Sequence, residues 1–166
     1  TATLIADLIG TDPVRREAAV ARLAIVGERA VDRLLAALAD ATPDASVFIL
    51  RTLEAIGSTR ALPAALAKLN ATSDAVTIAA VGAIRPHLRA RDDGIAAQSL
   101  EALTTLALAA ERSDPPRLAA LEALGDMGPE TVQPIRDRLR DDPSARVRRM
   151  AGGTSAAQPA PLDASA

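Results

Sequence analysis

The sequence predicts an all-α protein, an α-α superhelix in which helical hairpins stack into a right-handed α-solenoid of about four pairs plus partial end units. Three observations predict it. Helix-start and helix-stop residues recur at a spacing of about thirty residues, the period of a hairpin repeat. Between them, apolar residues fall at i, i+3, i+4 and i+7, the spacing of one helix face. Hydrophobic residues make up 49% of the chain while aromatics make up 1%, with Phe48 alone. Ala and Leu therefore supply the apolar volume, which suits close helix packing and opposes a sandwich or barrel.

The clearest unit runs from Asp114 to Asp142. Asp114 is expected to cap a helix, because its carboxylate can accept orphan backbone N–H groups, and Pro115 follows where no N–H is needed. Gly125 is expected to close that helix in the left-handed conformation. Pro129 opens a second helix through Val132, Ile135 and Leu139, and Asp141-Asp142-Pro143 begins the next cycle.

The other units repeat this grammar. Ala2 to Ile9, with Leu4, Ile5, Leu8 and Ile9, reads as the second helix of a degenerate unit. Asp12-Pro13 starts the first full unit, Gly27 ends its first helix, and Glu28 to Asp40 carries Val31, Leu34, Leu35 and Leu38 on one face. Thr42-Pro43 starts the second, with Val47, Leu50, Leu53 and Ile56 before Gly57, then a helix over 61–70. Thr72-Ser73-Asp74 starts the third, through Val76, Ile78, Val81 and Ile84. There Arg85 stands where Gly stood before, and Pro86 blocks simple continuation. Asp92-Asp93-Gly94 begins a longer helix reaching about Arg112. Residues 1–151 are expected to form the solenoid, and 152–166, rich in Gly, Ala, Pro and Ser, a tail or linker.

The recurring Asp-Pro-x-x-Arg start and the apolar-Gly end resemble HEAT repeats, especially the short bacterial kind related to phycobilisome-lyase repeats. Asp12, Pro13, Val14 and Arg15 carry that start. Asp114, Pro115 and Arg117 carry it with Pro116 in place of the apolar residue, and Asp142, Pro143, Val147 and Arg148 carry it with a shifted arginine. The resemblance covers 12–150 and implies a module that binds other macromolecules. Its lyase-related members include scaffolds, regulators and chromophore-attachment enzymes.

Composition narrows the function. Net charge is −2 and no cysteine is present, which excludes disulfides and thiolate metal sites and fits a reducing, cytoplasmic compartment. No run of eighteen or more apolar residues reads as a membrane span. His87 is the only histidine, so neither a His-based metal site nor a Ser–His triad can be assembled. It reads as a solvated turn residue. The carboxylate pairs Asp92/Asp93 and Asp141/Asp142 read as helix caps rather than acid–base machinery. No cofactor is implied.

Arginine is the suggestive element. Arg85, Arg89 and Arg91 crowd into the third turn around His87, while Arg136, Arg138, Arg140, Arg146, Arg148 and Arg149 crowd into the last helices. The leading reading is internal, an Asp–Arg ladder between successive repeats with Asp137, Asp141 and Asp142 as nearby partners. The competing reading is an anionic protein surface, since Arg pairs carboxylates in bidentate fashion. Nucleic acid is disfavoured, because no aromatics are interleaved for base stacking and the overall balance is acidic.

The leading expectation is a non-enzymatic interaction or scaffold module. Its second helices would line a concave face bearing Arg33, Lys68, Arg136 and Arg140, with Arg85, His87, Arg89, Arg91, Arg146 and Arg149 as further contact residues. The expected partner is another protein or a domain of the same parent chain. Val147 and Met150 at one end, and the Leu4 to Ile9 segment at the other, predict self-association or partner contact through an array end. A lyase-like or other enzyme-accessory role is the first alternative and a nucleic-acid-binding module the second.

Overall fold

The computed structural model describes residues 2–152 of the 166. The described residues form ten α-helices: α1 Ala2–Ile9, α2 Pro13–Val26, α3 Glu28–Ala39, α4 Pro43–Ile56, α5 Leu62–Lys68, α6 Asp74–Ile84, α7 Asp93–Leu108, α8 Asp114–Leu124, α9 Pro129–Arg138 and α10 Ala145–Ala151. Short 3-10 turns at Thr59–Ala61 and Arg85–Arg89 join two of the pairs. The expected four pairs are present, flanked by α1 and α10. The proposed tail from Gly153 onward lies outside the described residues.

The first helices α2, α4, α6, α8 and α10 stack on one another in a continuous row, while α3, α5, α7 and α9 each lean on the first helix of the following unit. One core runs through the row. Leu23, Leu34, Ile49, Leu50, Ile84, Leu103 and Leu124 are among the side chains fully removed from water. Burial of this kind contributes about 1.5–3 kcal/mol for each large aliphatic side chain. Where the first helices meet, Ala79, Ala80 and Ala83 are buried, and such small side chains let helix axes come close.

Several helix ends form as the sequence predicts. The Asp12 carboxylate accepts from the amides of Val14 and Arg15, Thr42 from Ala45, and Asp92 from Gly94 and Ile95. Gly27 and Gly57 close α2 and α4 with φ of 63° and 70°.

Other ends differ. Ser113, not Asp114, occupies the cap position of α8, and its hydroxyl donates to Asp74 at 2.7 Å. The Asp114 carboxylate accepts from Ser144 at 2.8 Å instead. Each Asp thus reaches forward to the serine that starts the next unit, a rung between repeats rather than a local cap. Asp142 likewise is no cap: Ser144 caps α10 by accepting from Val147, and the Asp142 carboxylate meets Arg117. Gly125 has φ −59°, in the right-handed helical region, and the chain turns on past α8 with the Asp126 and Met127 amides donating to the carbonyls of Ala123 and Leu124. Ile78 is 38% exposed, since two residues of helix turn it away from the side that buries Val76.

The array ends are better covered than expected. Leu8 is fully buried against its neighbours and Val147 is fully buried as well, because α10 packs on both α8 and α9. Of the apolar end residues, Ile9 at 47% and Met150 at 36% stay exposed.

Candidate partner-binding site

Two groups of arginines stand out. One is internal. Arg117 on α8 is 1% exposed, donates Nη1 to Asp142 Oδ1 at 3.1 Å and Nη2 to Asp142 Oδ2, and gives Nε to the Ala107 carbonyl at 3.2 Å. Hydrogen bonds from Arg117, more than anything else, hold the Asp142 carboxyl below the usual carboxylate range. Arg85 forks onto Asp126 at 2.6 and 2.9 Å, and Arg89 donates to the Asp126 carbonyl. That pairing lowers the Asp126 carboxyl and raises Arg85 further. Arg112 donates to the carbonyls of Leu69 and Ala71, and Arg16 and Arg51 flank the Phe48 ring at 4.8 and 5.5 Å.

His87 belongs with this internal set. It is 3% exposed in the 3-10 turn, and burial pushes its imidazole down from the ordinary value. The expectation of a solvated histidine fails, because Arg85 and Arg89 reach across to Asp126 and the turn they belong to folds onto α7 and α8.

The second population is at the C-terminal end. Arg136 on α9 and Arg146 and Arg149 on α10 line one groove of about 530 Å³, together with Leu118 and Leu121 on α8 and with Met150. None of the three makes an ion pair among the described residues. Arg148 points elsewhere and donates to the carbonyls of Asp142 and Pro143. The framework beneath is fixed: Arg117 fastens Asp142 to α8, Asp142 accepts from the Ser144 amide at 3.0 Å, and Ser144 starts the helix that carries Arg146 and Arg149.

The remaining candidate residues do not join this groove. Arg33 and Arg91 are exposed, Lys68 is half-buried at the end of α5, and Arg140 pairs with Asp137 at 2.7 Å. Two features escape the sequence reading. A cleft of about 370 Å³ opens between α5 and α7, lined by Leu66, Leu69, Gln98, Glu101, Thr105 and Arg112. Its polar positions Gln98, Glu101 and Thr105 follow helical spacing on α7, so a search for a polar stripe would have found them. On α2, Val14 at 77% and Ile25 at 86% stand in water together with Ala18 and Ala21. Their i, i+4, i+7, i+11 spacing marks a second apolar face.

Among the described residues no group of His, Asp or Glu is placed to hold a metal ion, and no helix is long and apolar enough to cross a membrane. No protein-family model matches the chain, and no curated protein does. A solved structure does. The chain is similar to one in the complex of CpcE and CpcF of phycocyanin lyase from Nostoc sp. PCC7120, with 27% identity and a TM-score of 0.72, over 90% of this chain and 94% of that one. The fold is HEAT-like, of the phycobilisome-lyase kind. That neighbour belongs to a lyase and lies in a complex with a partner subunit, which fits the enzyme-accessory alternative drawn from the sequence better than the non-enzymatic scaffold placed first.

Proposed function

We propose that the chain is an enzyme-accessory HEAT protein, a subunit that works within a lyase-type complex by holding a partner protein. The observation that carries this is the likeness to a phycocyanin lyase complex along nearly the whole of both chains. A single stray repeat in common would not produce such coverage. A shared fold is by itself an analogy. The groove at the C-terminal end adds a local reason, because it combines the exposed Met150 and the half-buried Leu118 with arginines that make no ion pair among the described residues. In this reading the chemistry belongs to the assembled complex, and this chain contributes the shape and charge that orient the partner. No cofactor is assigned to it. The sequence expectation of a partner protein is kept, and the scaffold role narrows to one inside an enzyme assembly.

Native mass spectrometry of the tagged full chain, isolated from its own cells, tests the proposal. A defined complex with a second helical-repeat subunit, active in lyase chemistry, is the expected result. An isolated monomer, or a complex without any such activity, would overturn it.

A further inference from the structure

We infer that the groove between α8, α9 and α10 docks an acidic amphipathic segment of a protein partner. Apolar side chains of that segment enter over Leu118, Leu121 and Met150, and its carboxylates reach Arg136, Arg146 and Arg149. The inference rests on the accessory-subunit reading and adds the chemistry of the surface that is recognised.

Charge complementarity commits the occupant. Arg85, Arg117 and Arg140 each meet a carboxylate within the chain, whereas the three groove arginines meet none among the described residues. A guanidinium matches a carboxylate in two parallel hydrogen bonds, which gives direction as well as attraction. Glu122 is the one acidic residue lining the groove, and its carboxylate lies 3.9 Å from Arg85.

The floor decides between protein and nucleic acid. A phosphate backbone would satisfy the arginines but leave the half-buried Leu118 and the exposed Met150 uncovered. With Phe48 the sole aromatic of the chain, at α4, no ring is present at the groove to stack a base. An amphipathic peptide uses both parts, and the unbranched Met150 side chain can adapt to the apolar group that enters. The site is also prepared. The buried Arg117–Asp142 pair fixes the start of α10, so the backbone that carries Arg146 and Arg149 is ordered before binding.

The test is fluorescence anisotropy on the full chain with a labelled helical peptide that carries a leucine stripe flanked by glutamates. Its glutamine and lysine counterparts serve as controls. Binding of the glutamate peptide that weakens with salt is expected, with a loss of about tenfold or more in R146E/R149E, as reversal of rim charges produces. The lysine peptide should bind that variant better than it binds the wild type. Arg146 and Arg149 are exposed, so an unchanged circular dichroism spectrum is expected, and M150S supplies an independent loss without a charge change. Equal binding of the glutamate and glutamine peptides would overturn the inference, as would preference for a short RNA or DNA duplex. So would a photo-crosslinker at position 150 that joins only a second copy or residues 153–166. These readouts involve no lyase activity, so the groove can fail while the accessory role stands, and the reverse.

Discussion

Arg117 and Asp142 lie 25 residues apart and meet as a buried, two-pronged ion pair that fastens the last helix to α8. Removing one partner leaves the other charge buried and alone. R117A is expected to lose about 3–5 kcal/mol of stability, more than most single substitutions. The double variant R117M/D142L is expected to recover much of that loss. Urea denaturation of the three proteins checks both points, and a loss below about 1 kcal/mol in R117A would mean the pair is solvated.

The same pair sets an acid limit. Arg117 lowers the Asp142 carboxyl in the folded state. Its contribution is therefore complete above the unfolded value, near pH 4, and fades as pH falls through the lower folded value. D142N should flatten the acid limb of the stability curve, measured from about pH 5 downward.

His87 governs a separate window. Burial lowers its folded value, so the neutral ring is favoured and protonation favours the unfolded chain. Stability should hold above about pH 6.5 and decline as pH drops through the folded value below it. Since His87 is the only histidine, H87L should remove the slope between about pH 7 and pH 5. An unchanged slope would show that the ring is hydrated in the folded chain.

Two glycines should differ in their tolerance of substitution. Gly57 is in the ordinary left-handed region with ψ 21°, whereas Gly27 combines φ 63° with ψ −138°, where a Cβ is poorly accommodated. G57A should cost about 1 kcal/mol and G57N less, while G27A should cost about 1–3 kcal/mol. Thermal melts of the three variants give the order directly.

Leu124 has no exposed surface at the end of α8. Truncation to Ala should cost about 2–5 kcal/mol through lost burial and the cavity left behind. A change under about 0.5 kcal/mol would be that of a surface residue.

Much of the fold was legible because its signals are local. Asp12, Thr42 and Asp92 cap helices within three residues, and Gly27 and Gly57 end them within one turn. Several misreadings concern residues whose surroundings come from a whole repeat away. Asp114 has the spacing of a cap, yet its carboxylate serves Ser144 thirty residues on. His87 stands between arginines, and its burial follows from a turn that packs on α6, α7 and α8 while Arg85 and Arg89 reach Asp126. The arginine clustering at the C-terminal end was visible in sequence. Which members open into the groove was not, because Arg148 and Arg149 are neighbours in the chain and face different surroundings in the fold.

The central claim is that this chain serves a lyase-type complex by holding a partner. The most direct measurement is the initial rate of lyase chemistry by the isolated complex, compared with the same components from which this chain is omitted. Omission is expected to abolish the rate, and adding back the wild-type chain to restore it, while R146E/R149E restores far less. An equal rate with and without the chain would contradict the claim.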